Sequence, residues 1–336
     1  MKKLRVGIVG LGWVSQVFHL PILLKLEDVE IVALCDRDRS RAGMISERFG
    51  KFRTYTDYQQ MLMKEDLDAV TICTPTDAHL PITLAALEAG KDVFVEKPIA
   101  RRYSEALLMA EKARETKRHL MVGMNNRFRP DTMILKSFIE KGELGKIFYA
   151  KAGWLKKLAN NNPWITHKDK AGGGVLLDLG IVMIDLILWM IGFPPVSRVS
   201  AKMYMHKTKS VEDSCVVFLE MKYGIAVTIE VSWSFQSADD FFFCDFFGSE
   251  GSAMINPLRI NKQLHGNLVN VTPAKIESPQ NLHKKSYENE LRHFVGASLG
   301  FHQIVSTAEE AVSRMKIVDA IYQSAQKGKE IVFKNP

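Results

Sequence analysis

Val6-Gly7-Ile8-Val9-Gly10-Leu11-Gly12-Trp13-Val14-Ser15 is the stretch on which the fold turns. Leu4–Val9 reads as a buried strand and a helix is expected from about Trp13, so Gly-x-Gly-x-x-Ser sits at a strand-to-helix turn. There Gly10 permits the tight turn and Gly12 lets the backbone approach a pyrophosphate. The free N–H groups at the helix start, those of Trp13 and Val14 included, can face the phosphates. Ser15 stands where a third glycine is usual and is small enough for close helix–strand packing. Alone the motif is weak, since a glycine loop also occurs in nucleotide-free α/β proteins. The next apolar run, Ile31–Cys35, ends in Asp36, 24 residues after Gly12. An acid at that place accepts hydrogen bonds from ribose hydroxyls and favours NAD. Arg37 follows at once and suits a 2′-phosphate, which keeps NADP open.

Outward from this turn, strand and helix signals alternate. Ala69–Cys73, Asp92–Val95 and Leu120–Val122 are further strand runs, and Arg39–Phe49, Tyr58–Met63, Leu80–Ala89 and Ser104–Thr116 read as helices. Such alternation predicts a doubly wound parallel sheet of Rossmann type. From about Phe148 the pattern changes to longer strand runs in succession: Ile147–Trp154, Val196–Met205, Ser214–Met221, Ile225–Phe235 and Phe241–Phe247. Val227, Ile229, Val231 and Trp233 alternate in period two, as in a largely antiparallel sheet with one open or partner-covered face. A helix over about Leu176–Met190 is inserted between the first two, and Ala308–Ala325 leads into a short Ile331–Phe333 strand. The predicted organisation is α/β followed by α+β. Residues 1–123 form an NAD(P)-binding domain, and residues 124–336 form a substrate-binding and oligomerisation domain.

Composition bounds the function. With 46% hydrophobic and 25% charged residues, the 336-residue chain is ordinary globular material. The net charge of +7 suits anionic ligands, but basic residues are interleaved with acids, which argues against nucleic acid. Cys35, Cys73, Cys215 and Cys244 show no CxxC or metal-ligand spacing, so buried thiols in a reducing, cytoplasmic setting are expected, with no metal. The start of the chain lacks an apolar signal region. No apolar run is expected to reach the roughly 18–20 residues of a membrane span. The longest, Ile181–Phe193, is interrupted by Asp185 and Gly192.

Several residues fall at carboxyl edges of expected strands, where open α/β sheets bind ligands. Glu96-Lys97-Pro98 follows Asp92–Val95. A lysine there can hydrogen-bond a substrate hydroxyl, stabilise a developing alkoxide and pass a proton. Thr74-Pro75 follows Ala69–Cys73, and His79 begins the next helix, either beside the cofactor or as a packing residue. Asn125 follows Leu120–Val122 and suits a nicotinamide ribose. Trp154 and Trp164 flank a segment with Lys156, Lys157 and three asparagines, a set that suits a sugar ring or plain packing at a sheet edge.

Together with Thr74-Pro75-Thr76-Asp77-Ala78-His79, Asn126-Arg127-Phe128, Gly172-Gly173-Gly174-Val175-Leu176-Leu177-Asp178-Leu179-Gly180 and Phe247-Gly248-Ser249-Glu250-Gly251, these residues resemble the glucose–fructose oxidoreductase, inositol dehydrogenase and MocA family over almost the whole chain. The resemblance implies hydride transfer between NAD(P) and a sugar, cyclitol or related carbonyl compound. It also implies Glu96 and the Thr74 loop beside the cofactor, Lys97 in catalysis, and a homodimer or homotetramer formed through the C-terminal sheet. Asp178, Val182 and Asp185 are spaced for one helix face, which makes Asp178 a catalytic candidate and Asp185 either a secondary substrate-binding one or an ordinary buried polar partner. At Val182 the family's dehydrogenases usually carry a histidine, and valine cannot carry a proton. Three readings stay open: Lys97 with Asp178 suffices; His167, just before the glycine run, substitutes; or the chain is a non-catalytic NAD(P)-binding sensor. An NAD-assisted glycoside hydrolase is a further alternative.

Overall fold

The computed structural model describes residues 3–157, 163–274 and 279–333. Its contacts divide into two compact units, one of residues Met1–Asn125 with Tyr287–Ser313, the other of Asn126–Ser286 with Arg314–Pro336. A linear division at 123 and 124 therefore leaves out Tyr287–Ser313, which belongs with the first unit.

The first unit carries six strands: β1 (Leu4–Val9), β2 (Val29–Cys35), β3 (Arg53–Tyr55), β4 (Ala69–Ile72), β5 (Asp92–Val95) and β6 (Leu120–Val122). They pair in parallel in the order β3-β2-β1-β4-β5-β6. β4, β5 and β6 are buried at every residue, as a sheet covered on both faces requires. The order reverses at β1, so the glycine turn opens where doubly wound sheets form their crevice. Gly10 has φ +91°, and a Cβ there would lie 2.6 Å from the Cys73 carbonyl carbon. Only glycine fits that close approach.

The second unit carries β7 (Ile147–Leu155), β8 (Val196–Tyr204), β9 (Ser214–Met221), β10 (Ala226–Ser232), β11 (Phe241–Gly248), β12 (Gly251–Ile255), β13 (Arg259–Leu264), β14 (Asn267–Asn270) and β15 (Ile331–Val332). Their order is β14-β13-β12-β11-β7-β10-β9-β8-β15. β7 and β10 run parallel, and every other pairing is antiparallel. The period-two reading holds: Val227, Ile229 and Val231 are buried, on the face packed by the helical segment that begins at Leu176. The opposite face bears the exposed Val216 and Phe218.

Lys168–Ile191 is, by length and composition, apolar enough to cross a membrane, which corrects the expectation that no run would reach that length; 83% of its most apolar window is buried inside the fold. It is not one regular helix. A π turn spans Leu176–Gly180 and an α-helix spans Ile181–Ile191. The first unit has a matching irregularity, a π turn at Ser15–His19 directly after the glycine turn. Such turns are rare and often mark functional segments.

Candidate active site

In the first unit the glycine turn is held from β2. The Leu11 amide donates to Asp36 Oδ2 at 2.8 Å, and the Asp38 amide donates to Oδ1 at 2.9 Å. Asp36 is almost buried and also meets the Arg41 guanidinium at 3.3 Å. Arg41, not the exposed Arg37, is thus the cation beside this carboxylate. On the open side of the turn, a Cβ at Gly12 would meet nothing within 4 Å. The N–H groups at the start of the following helix have no intrahelical acceptor. Trp13 is 63% exposed beside them and packs edge-on against Phe18, with centroids 5.5 Å apart. Val14 is half-buried.

The next two loops are pinned by one ring. His79 is buried, with Nδ1 2.9 Å from the Pro98 carbonyl and Nε2 2.9 Å from the Thr74 carbonyl. Burial pushes its pKa down, against the pull of those carbonyls. Both ring nitrogens face backbone carbonyls, so of the two readings of His79 the one beside the cofactor is corrected and the packing one stands: the ring sits between the Thr74 and Pro98 loops and donates to one of their carbonyls. Thr74 Oγ1, by contrast, is buried with no hydrogen-bond partner. Pro75 is half-buried beside it. Glu96 and Lys97 follow β5, and the Lys97–Pro98 peptide is cis. Glu96 Oε1 lies 2.7 Å from His19 Nε2, and Oε2 accepts from the Lys97 amide at 3.3 Å. Asn125 is half-buried and opens a 3-10 turn just after β6.

In the second unit the glycine run is held by Glu212. Its Oε1 accepts from the Gly174 and Leu176 amides at 3.0 Å each, and from the Tyr322 hydroxyl at 2.8 Å. Burial pushes the Glu212 pKa up while these donors oppose the shift. A Cβ at Gly174 would lie 1.9 Å from the Glu212 carbonyl oxygen. Asp178 leaves this run half-buried and accepts from Trp233 Nε1 at 3.1 Å. Val182 is buried.

Asp185 does not share the surroundings of Asp178. It is 2% exposed and takes a two-pronged contact from Arg127, Nε to Oδ2 at 2.8 Å and Nη2 to Oδ1 at 2.6 Å. Arg314 Nη1 adds a second ion pair at 2.6 Å. The expectation of a substrate contact at Asp185 is therefore corrected: the carboxylate is consumed inside the core by two buried guanidiniums. Trp154 is half-buried, edge-on to Phe242 at 5.3 Å, with the Lys156 ammonium 5.0 Å from its ring centre. Trp164 is half-buried in the turn Pro163–Thr166, and His167 is exposed at the head of a four-residue helix. Leu158 and the asparagines at 160–162 lie outside the described residues. Among the described residues, no group of three His, Cys, Asp or Glu could hold a metal ion.

A family model described as an oxidoreductase family with an NAD-binding Rossmann fold matches residues 4–124, and its C-terminal domain counterpart matches residues 133–254. D-glucoside 3-dehydrogenase of Escherichia coli (strain K12) is 31% identical over 98% of this chain and 97% of its own. The chain belongs to the GFO/IDH/MocA oxidoreductase family. The scyllo-inositol 2-dehydrogenase (NAD(+)) of Bacillus subtilis (strain 168) is 28% identical over 76% of this chain and 75% of its own. Among solved structures, GenD2 from gentamicin A biosynthesis in complex with NAD superposes with a TM-score of 0.87, at 25% identity, covering 99% of this chain and 97% of that one.

As a member of this family the protein is an NAD(P)-dependent dehydrogenase acting on CH–OH groups. Its first unit fits the dinucleotide that the family binds. Gly12 leaves the backbone open, the helix start offers N–H groups, Asp36 stands at the ribose position of the fold, and Thr74 presents an unspent buried hydroxyl. Sequence reasoning reached Gly10, Gly12, Asp36, Thr74, Glu96 and Lys97. It missed His19, Glu212 and Trp233, which fix candidate groups from distant positions in the chain, and Arg41, which meets Asp36 from five residues further on.

Proposed function

We propose that this dehydrogenase interconverts a secondary alcohol and a ketone on a sugar, cyclitol or related polyol, with Lys97 as the proton-handling residue and NAD as the preferred cofactor. The placement of Lys97 carries the reading. It follows β5 at the carboxyl edge of the parallel sheet, in a loop fastened on one side through Glu96 and on the other through His79. A lysine so held can donate to the substrate oxygen, stabilise negative charge developing there and take up or return its proton. Val182 offers no proton, which leaves this work to Lys97. Asp178, aimed by Trp233, can orient a substrate hydroxyl. Trp154 and Trp164 offer apolar faces of the kind that stack on sugar rings.

When bound, the nicotinamide supplies the hydride acceptor or donor. The chain's own part is position and charge. Asp36 favours NAD because its carboxylate opposes a 2′-phosphate; the Arg41 contact weakens that bias without removing the acid. A second copy of the chain is a fitting cover for the open sheet face, where Val216, Phe218 and Phe241 are each over 40% exposed. Four buried, unpaired cysteines suit a reducing, cytoplasmic setting.

The test is cofactor reduction or oxidation, followed by absorbance, across sugars, cyclitols and sugar acids with NAD and NADP. Turnover is expected with NAD, and Lys97→Ala is expected to lose at least 100-fold in kcat while still binding NADH. Turnover unaffected by Lys97→Ala would refute the assignment.

A further inference from the structure

We propose that Ser210 is a positioning residue for the turn that carries Trp164. This rests on the reading of Trp164 as a sugar-facing residue.

The segment from His206 to Asp213 is folded around one carboxylate. Asp213 is fully buried, and its Oδ2 accepts from the His206, Lys207 and Thr208 amides at 2.7, 2.6 and 3.2 Å. Burial opposes its charge, but these amides outweigh burial and hold the carboxyl below its ordinary pKa. The same residue ties the segment to the sheet. Its amide donates to the Tyr204 carbonyl at 2.9 Å, and its carbonyl accepts from the Trp233 amide at 2.7 Å. The loop that presents Ser210 is therefore shaped by its own hydrogen bonds.

Two residues of this segment reach one stretch of chain. Ser210 Oγ donates to the Thr166 carbonyl at 2.7 Å, at the start of the stretch. Glu212 accepts from the Gly174 and Leu176 amides, at its end. Between these points lie the four-residue helix Lys168–Ala171 and the glycines. A helix of one turn does not hold itself in place without tertiary contacts. Trp164 and Asp178 stand on either side of the clamped stretch, Asp178 at the Glu212 end and Trp164 at the Ser210 end.

What Ser210 holds is backbone. The His167 amide donates to the Trp164 carbonyl at 3.1 Å, which closes a turn with Thr166 inside it. Fixing the Thr166 carbonyl thus fixes the backbone from which the indole projects. A serine spends little side-chain entropy on such a bond, and its loop is already ordered. Without the bond the turn loses its place, and a sugar ring that stacks on the indole must restore that place on binding. The cost falls on substrate binding and not on hydride transfer.

The test compares wild type with Ser210→Ala, with Ser210→Thr, which keeps the hydroxyl, and with Trp164→Ala. Labelling with 5-fluorotryptophan gives one fluorine resonance for each of the five tryptophans, and Trp164→Ala identifies the one from Trp164. In the apoprotein that resonance alone is expected to shift or broaden in Ser210→Ala, and to return in Ser210→Thr. With NAD and the most active polyol of the panel, KM is expected to rise about 3- to 10-fold in Ser210→Ala, the worth of one neutral hydrogen bond, with kcat and the NADH dissociation constant within about twofold. Ser210→Thr should keep all three within about twofold of wild type. An unmoved Trp164 resonance overturns the proposal. So does a change across the other tryptophan resonances, or a fall in kcat, that Thr fails to rescue, which marks a merely structural residue. If the resonance responds as expected but Trp164→Ala leaves KM at the wild-type value, the positioning stands and the sugar-facing reading of Trp164 falls.

Discussion

Replacing Asp185 by asparagine changes one atom and removes a carboxylate that faces two guanidiniums whose side chains are fully buried. Arg127 retains its approach to Trp189 and Phe193, at 5.8 and 5.4 Å from the ring centres, which offsets part of the loss. Breaking a buried pair from one side costs about 3–5 kcal/mol, because a charge is left without compensation. Here two buried guanidiniums lose the same counter-charge, so the upper part of that range applies. For a unit of this size each kcal/mol lowers the midpoint by about 2–4 °C, which puts the expected fall near 10 °C. Differential scanning calorimetry with and without NADH reads it directly. Arg314→Met, which leaves the two-pronged Arg127 contact intact, should fall by less. Below the midpoint, kcat of Asp185→Asn should stay within about threefold of wild type, because its carboxylate has no free oxygen to offer a substrate. A variant as stable as wild type with kcat lowered 100-fold would refute this reasoning and return Asp185 to the chemistry.

Three further outcomes are expected. The pKa of His293 is pushed down to about 4 by burial and by the stacked His302, and its Nε2 accepts from the Val305 amide at 3.0 Å. The unfolded chain binds this proton near pH 6.5 and the folded chain only near 4. The contribution, about 1–2 kcal/mol after discounting for partial exposure, is therefore full above pH 6.5 and lost as pH falls to 4. Midpoints measured from pH 7 to 4 should flatten over that window in His293→Asn. Glu212→Ala removes three hydrogen bonds from the glycine run and the Tyr322 hydroxyl; a loss of about 2–4 kcal/mol is expected by urea unfolding, with reduced kcat. All four cysteines are buried and burial pushes their thiol pKa values up, that of Cys35 to about 12, so none should react with a thiol reagent before unfolding.

The parallel sheet was legible because its strands are short apolar runs closed by glycine, acid or proline. The structure places β1, β4 and β5 within a residue of where those runs fall. Two helices escaped. Pro279–Ser298 is polar over most of its length, with Leu282, Leu291, Phe294 and Val295 buried at spacings that charged neighbours obscure. Pro130–Glu140 falls just past the expected division at 123 and 124, between the last short strand run and the first long one, where no helix was read. The strands β12, β13 and β14 escaped because short, polar edge strands lack a clean alternation; β14 is exposed at every residue. The two π turns are invisible for a deeper reason. Ser15–His19 and Leu176–Gly180 have no composition that sets them apart from α-helix, yet each changes which side chain faces inward.

That last point explains why the candidate site was only half legible. Residues on strand ends and glycine turns announce themselves, since the geometry that exposes them leaves a mark in adjacent sequence. The residues that orient them do not. His19 and Glu96 are 77 positions apart, Arg127 and Asp185 58, Glu212 and Tyr322 110. Asp178 and Asp185 show the consequence. On an ideal helix their spacing gives them one face and one role. The structure gives Asp178 an indole N–H and a half-exposed position, and gives Asp185 two arginines and none. The same side chain on the same segment is thus a candidate for chemistry in one case and a core counter-charge in the other. What separates them is the partner that tertiary packing delivers, and a single chain's sequence does not encode that partner locally.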